Sequence, residues 1–476
     1  MLFHSPEFMI LMTITLILFY LMPKARIYIL AFANMLFYGA SGLGYLVLFI
    51  LVSVLTYQAS RHLQGVYGKA FLWIGVLLNV FNLAFFKYSI FVLSNLEKFL
   101  PIKLVWENSF FTKLLLPVGI SFYTFQMIAY LVDIYKGKIE PCKNLLDFWV
   151  FIAFFAQLIA GPIMRGKDLI PQVEELVKIR LDYSRVKLGL TYLALGLFKK
   201  IVLADHISAY ADSFFNRGVA LSGGEVWIAA YLFAFQIYFD FSAYSEMALG
   251  VGHLFGITLD LNFKTPYLSQ NATEFWRRWH ITLSNWIRDY VYIPLGGSRA
   301  GETRQMLNLL LAMTISGLWH GAAWTFVAWG MFHGLLLIGH KLYLKVTTLL
   351  GLNTLRESSL YRVFAIFIFF HLTCIGWVFF RAKGMNSALN MVAKMLTTNP
   401  FTLVADTGLL KFVAFVGILF LLHIVEYFVR EKYQQISLLW HKLFPSPVRG
   451  LAYTMLIVIL VIFMQNEQNS FIYFQF

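Results

Sequence analysis

The chain has 476 residues, 59% of them hydrophobic and only 13% charged, with a mean hydropathy of +0.70. Soluble domains carry roughly 25% charged residues, so this composition excludes a water-soluble enzyme and defines an integral membrane protein. The formal charge of +14 is spread between apolar runs and not gathered into one patch, which is the loop bias of a membrane protein and not a nucleic-acid surface.

A membrane helix needs about 20 mostly apolar residues, and about 11 or 12 stretches are candidates. In chain order they are 8–22, 27–38, 45–57, 71–93, 114–132, 148–164, 188–198, 226–239, 306–331, 363–380, 412–429 and 451–463. Several fall short of a full span, so tilted, broken or re-entrant segments are expected. Lys24 and Arg26 follow the first stretch whereas His4 and Glu7 precede it. That asymmetry places the N-terminus outside and the basic loops 61–69 and 136–143 inside. The two cysteines, Cys142 and Cys374, lie far apart without metal or redox spacing. No long hydrophilic block and no internal repeat is apparent, so residues 1–476 read as a single membrane domain. Polar residues interrupt the apolar runs mainly in the section 146–345, where function is expected.

Four clusters in that section carry the polarity. Gly161-Pro162-Ile163-Met164-Arg165 reads as a helix-breaking turn at the membrane edge. Asp240 and Glu246 interrupt the apolar run around Tyr238, Tyr244 and Met247. A buried carboxylate must be paired, hydrogen-bonded or protonated. Asp240 is therefore expected either to pair with an arginine of the next cluster or to orient an imidazole. In that next cluster, 271–299, Trp276, Trp279, Leu283, Trp286 and Tyr290 recur at three- and four-residue steps, which predicts one helical face. An interfacial helix whose Arg277, Arg278 and Arg288 reach lipid phosphates explains much of this segment. His280, Asn285 and the turn Pro294-Leu-Gly-Gly297 are not needed for anchoring, however. Guanidinium forks with aromatic planes also suit an anionic, adenine-bearing ligand such as coenzyme A.

The fourth cluster is Trp319-His320-Gly321, within a stretch from Met306 to Met331 that holds no Asp, Glu, Lys or Arg. An ionisable group at bilayer depth usually faces a cavity, a partner or a substrate. Gly317 and Gly321 beside it predict a distorted or closely approached backbone. His340, His371 and His423 read as packing residues, and so does His333, although Trp329, Gly330 and Gly334 close by make it the hardest of the four to dismiss. No metal motif and no phosphate-binding glycine loop is present in the sequence.

The segments Tyr238-Phe-Asp-Phe-Ser-Ala-Tyr-Ser245, Trp276-Arg-Arg-Trp-His280-Ile-Thr-Leu-Ser284-Asn285-Trp286-Ile-Arg288-Asp289-Tyr290 and Gly317-Leu-Trp-His320-Gly321 together resemble the membrane-bound O-acyltransferase family. Within it the chain is similar to the bacterial branch that acetylates exported polysaccharides, peptidoglycan or alginate. The resemblance implies an all-α polytopic fold of about 11 transmembrane helices, with re-entrant or interfacial helices around a central tunnel. It also implies acyl transfer from cytoplasmic acetyl-coenzyme A at a bacterial inner membrane, aided by a periplasmic acyltransferase partner. His320 matches the family's near-invariant histidine and His280 its second polar position. Arg277, Arg278, Trp279, Asn285 and Arg288 are expected to hold the donor, with Asp240, Tyr244, Trp276 and Trp319 in support. No metal or permanently bound cofactor is expected. A secondary transporter or flippase is the competing class, since it too would place ionisable groups on broken helices.

Overall fold

In the computed structural model the described residues are 1, 3–98, 116–299, 301–399, 407–464 and 471–472. All regular structure among them is helical, as bilayer depth demands of a backbone that must satisfy its polar groups within each segment. The helices are α1 (Pro6–Leu21), α2 (Arg26–Gly39), α3 (Leu43–Ser60), α4 (Gly68–Leu96), α5 (Ile120–Tyr135), α6 (Leu145–Ala153), α7 (Phe155–Leu158), α8 (Gly166–Glu174) and α9 (Tyr183–Leu197). After these come α10 (Asp205–Arg217), α11 (Gly223–Leu254), α12 (Ala272–Arg278), α13 (Ile281–Ile287), α14 (Glu302–His320), α15 (Trp324–Leu349), α16 (Ser359–Arg381) and α17 (Met385–Thr397). Thr407–Glu431, Tyr433–Leu443 and Ser446–Phe463 complete the series, and π-helical segments occupy Phe198–Ala204 and Arg288–Tyr292.

Six helices among the described residues are long and apolar enough to cross a membrane, or seven if α1 and α2, bent by 118°, form one broken span. The chain is a polytopic all-α membrane protein. The apolar stretches of the sequence outnumber these spans because several are interrupted. The stretch 148–164 breaks at Phe154, 188–198 runs into a π-helix, and 306–331 turns back at Gly321. Residues 114 and 115 of another stretch lie outside the described residues. The Gly161–Arg165 segment is irregular backbone, as its Gly-Pro pair predicts.

The chain divides into two compact units. The first comprises residues 1–196 and 244–261, the second 197–243 and 262–476. In the first, the rings of Phe8, Phe37, Phe155 and Phe255 form a connected core with centroid separations of 5.7–6.0 Å. The break at Phe154 exposes the Phe155 amide, which donates to the Oδ1 of buried Asn34 at 3.0 Å. Buried Arg26 likewise donates to the carbonyls of Phe19, Leu176 and Ile179 at 2.7–2.8 Å. Each serves backbone groups that would otherwise lie unpaired in an apolar interior.

In the second unit α14 and α15 form a hairpin whose glycines set the helix spacing. A Cβ on Gly317 would fall 2.2 Å from the Phe326 carbonyl, and one on Gly330 would fall 2.3 Å from the Met313 carbonyl. This is small-residue packing, in which missing side chains let two backbones touch. Gly317→Ala is expected to lower the thermal midpoint of the detergent-solubilised protein despite alanine's better helix propensity, because overpacking costs about 1–3 kcal/mol. Gly339→Ala, where a Cβ meets nothing within 4 Å, is expected to leave that midpoint unchanged or raise it.

Candidate active site

His320 is the last residue of α14, and Gly321 leaves the helix in an extended conformation. A Cβ on Gly321 would fall 2.1 Å from the Phe326 ring, so this glycine lets Phe326 close over the turn. The imidazole is 2% exposed and walled by rings: Trp319 at 4.9 Å, Trp329 at 4.9 Å and Phe380 at 5.3 Å, all edge-on. The distortion that the glycines around His320 predict is present in the stretch 306–331. The stretch is a helix, a turn and a second helix, with the histidine at the turn.

His280 also stands at a break. The expected single helical face from Trp276 to Tyr290 does not form, because α12 stops at Arg278 and α13 starts at Ile281. Between them His280 adopts the left-handed conformation, φ 42° and ψ 55°, which is strained for a residue bearing a Cβ. Asn262, wholly buried, holds it there. Its carbonyl accepts the Ile281 amide at 2.9 Å. Its Oδ1 accepts the Thr282 amide at 3.3 Å and the Thr282 hydroxyl at 2.9 Å, and lies 3.1 Å from His280 Nδ1. Two residues on, the Lys264 amide donates to the Arg278 carbonyl at 2.8 Å. The chain 262–264 thus closes the gap between the two short helices.

These bonds assign a tautomer. An Oδ1 already receiving two protons is an acceptor, so His280 Nδ1 carries a hydrogen and donates to it. Nε2 of the neutral ring is then the acceptor. The ring meets Phe241 edge-on at 4.7 Å and Trp319 at 5.8 Å. Both histidines proposed from the sequence therefore pack against the same indole.

A third imidazole joins the series. His333, read from the sequence as packing, is fully buried on α15, 4.8 Å from Trp329 and 5.2 Å from Trp276. Trp329 lies between it and His320, so three imidazoles alternate with two indoles in the order His280, Trp319, His320, Trp329, His333. The signal for it was present in Trp329 and His333, one helical turn apart with Gly330 and Gly334 beside them. Asn262 carried no such signal, because its partners lie 18 to 20 residues away.

The charged residues are placed differently from expectation. Asp240 pairs neither with an arginine of the aromatic segment nor with an imidazole. Its partner is buried Lys200, at 2.9 Å, which also meets Asp205 at 2.8 Å, and it accepts the Ile472 amide at 2.7 Å. The lysine is brought inward by the π-helical segment Phe198–Ala204. Nearby, Glu426 gathers Lys199, Arg430 and the Tyr238 hydroxyl at 2.6–2.8 Å. His423 accepts the Tyr267 amide at 3.3 Å and lies 3.5 Å from Glu426. Arg278 is bound to Glu274 at 2.7 Å, Arg288 to Asp289 at 2.8 Å, and Arg277 is exposed. Trp279 is buried among Phe263, Phe275 and Trp377, away from solvent, and packs as core. Trp276 meets His333 and Trp329. Asn285 is half-buried. Tyr244 belongs to the first unit, where its hydroxyl lies 3.5 Å from His4 Nδ1.

A polytopic helical membrane protein with buried imidazoles at helix breaks is thus defined by its coordinates. Residues 62–380 match the model of the membrane-bound O-acyltransferase family. The chain is 37% identical over 403 residues to the peptidoglycan O-acetyltransferase of Helicobacter pylori, covering 79% of this chain and 74% of the relative. It is 38% identical over 412 residues to the probable alginate O-acetylase AlgI of Azotobacter vinelandii, covering 85% and 79%. A teichoic acid D-alanyltransferase of Streptococcus thermophilus is 29% identical over 288 residues, covering 55% and 68%. The chain belongs to the membrane-bound O-acyltransferase family and is an acyltransferase.

Asn262→Ala is expected to destabilise the fold by about 1–3 kcal/mol, because it strands the buried donors that Oδ1 receives. Asn262→Asp, which keeps the acceptor oxygens, is expected to retain more of the thermal midpoint than Asn262→Ala.

Proposed function

We propose that the protein is an O-acetyltransferase that takes an acetyl group from cytoplasmic acetyl-coenzyme A and passes it across a bacterial inner membrane. The acceptor hydroxyl belongs to an exported cell-envelope polysaccharide, peptidoglycan in the first instance, or to a periplasmic acyltransferase partner that completes delivery. The N-terminus faces the periplasm in this reading. The observation that carries it is the placement of His280 and His320 against one indole, Trp319. The kinship with polysaccharide and peptidoglycan O-acetyltransferases supports the substrate class. The alginate O-acetylase relative is equally similar, so an exopolysaccharide is the second reading.

A hydroxyl is a weak nucleophile until a base removes its proton, and imidazole is the side chain matched to that task near neutral pH. In the proposed step His320 takes the hydroxyl proton as the oxygen attacks the thioester carbonyl carbon. The carbon–sulfur bond then breaks, and the departing thiolate takes the proton from His320. The new ester and free coenzyme A leave the imidazole neutral again. His280, whose Nε2 is the acceptor of the neutral ring, orients the donor by accepting a hydrogen bond from an amide N–H of the coenzyme's arm. Arg277, exposed on α12, is placed to meet the donor's phosphates, whereas Arg278 is engaged by Glu274. A transporter reading gains no support from the family match.

His320→Ala is expected to lower acetyl transfer from labelled acetyl-coenzyme A by about 10²–10⁴-fold, the weight of general-base assistance, with folding retained. Near-normal transfer by the purified variant would overturn the assignment. Arg277→Glu is expected to raise the KM for acetyl-coenzyme A more than it lowers kcat. Mass spectrometry of envelope polysaccharides from cells with and without the His320→Ala variant identifies the acceptor: loss of acetyl from peptidoglycan supports the first reading, loss from an exopolysaccharide the second.

A further inference from the structure

In the second unit Gly408–Glu431 and Ser446–Phe463 are both long and apolar enough to cross a membrane. The helix that joins them, Tyr433–Leu443, therefore sits at a membrane boundary. At about 100° per residue, Tyr433, Ile436, Leu439, Trp440 and Leu443 fall on one side of it. Gln434, Gln435, Ser437, His441 and Lys442 fall on the other, with Leu438 the one aliphatic residue among them. None of the helix is buried, and Leu439 and Leu443 are 53% and 64% exposed, so no described part of the protein covers the apolar side. Trp440 Nε1 donates to the Tyr453 hydroxyl at 3.3 Å, which ties the helix to the span that follows it.

We infer that this helix lies in the cytoplasmic interface of the bilayer, its apolar side among acyl chains and its basic residues on the phosphates of anionic phospholipids. Two observations choose that occupant. From Lys432 to Phe463 the sequence carries Lys432, Lys442 and Arg449 and no Asp or Glu. That charge complements an anionic surface and is the bias of a cytoplasmic loop. The flanking spans also turn Leu421, Phe428, Leu451 and Met455 outward, so the apolar side of the helix continues a surface that lipid tails cover. Tyr433 and Trp440 are the ring types that favour this depth, with an apolar body and a polar tip. The start of the helix adjoins the aromatic–basic segment: Lys264 meets Glu431 at 3.3 Å, and the Arg278 guanidinium lies 5.9 Å from the Tyr427 ring. The helix therefore marks that end of the unit as the cytoplasmic one. The inference rests on charge and exposure and does not depend on the acyl-transfer reading.

Cys142 and Cys374 are buried, so a nitroxide reagent meets an introduced cysteine. The test places the full chain in phosphatidylethanolamine–phosphatidylglycerol vesicles with the label at Leu439→Cys or at its neighbour, Leu438→Cys. The label at 439 is expected to collide with oxygen and to escape a water-soluble nickel chelate, at a depth of about 5–10 Å, whereas the label at 438 meets the chelate. Chelate reaching both would put the helix in water. A label at 439 hidden from both probes would put it under a protein partner or a second copy. Either result would overturn the inference. Lipid choice is read from quenching of Trp440, taken as the difference between the native chain and Trp440→Phe. Brominated phosphatidylglycerol is expected to be enriched there over brominated phosphatidylcholine, and Lys432→Gln with Lys442→Gln to cut that enrichment about five-fold for each lysine. Equal quenching by the two lipids would contradict the anionic preference. In right-side-out membrane vesicles an impermeant maleimide is expected to miss Leu438→Cys; its labelling would put the helix on the outer face and overturn the cytoplasmic placement.

Discussion

The hydrogen bonds that Asn262 makes around His280 are the constraint on which the rest of the site depends. A left-handed residue flanked by two helix ends leaves amides and carbonyls unpaired, and burial without partners costs about 1–3 kcal/mol for each. One asparagine supplies both its backbone carbonyl and its side-chain oxygen to the gap. The same contact that makes the break tolerable also fixes which nitrogen of the imidazole is the acceptor. Structure and chemistry are therefore set by one side chain.

The turn at His320 is made tolerable in another way. There the break lies between two helices that run back along each other, and glycines let backbone approach backbone. The imidazole at the turn is then enclosed by rings. Carboxylates and lysines in the same unit are occupied with one another, in the Lys200–Asp205–Asp240 and Lys199–Glu426–Arg430 groups. Such pairing keeps charges from being stranded in an apolar interior. The reactive groups left facing an aromatic enclosure are the imidazoles.

The class of fold was legible because composition and apolar run length respond directly to the bilayer. His320 was legible for the same reason: a titratable residue in a run without other charges stands out. The distortion around it was legible from Gly317 and Gly321. The break at His280 was hidden, since the three- and four-residue spacing of Trp276, Trp279, Leu283, Trp286 and Tyr290 is what one continuous helix would show. What interrupts it is a tertiary contact from Asn262, and periodicity carries no information about such contacts. Asp240 was recognised as needing a partner, but the partner came from a π-helical turn that no local pattern announces. Trp279 looked like an interfacial ring and is buried among other rings, because aromatic residues satisfy both environments. His333 had Trp329 one helical turn away as its signal, but Trp276, its other indole, comes from a distant segment that local sequence does not announce.

The central claim is that His280 and His320 serve one reacting centre across Trp319. A double-substitution cycle in a single-turnover assay of acetyl transfer from labelled acetyl-coenzyme A tests it most directly, using His280→Ala, His320→Ala and the two combined. Residues that act as a unit are strongly non-additive, so the double variant is expected to be no slower than the slower single variant. A double variant slowed by the product of the two single effects would contradict it, because that is the behaviour of two independent sites.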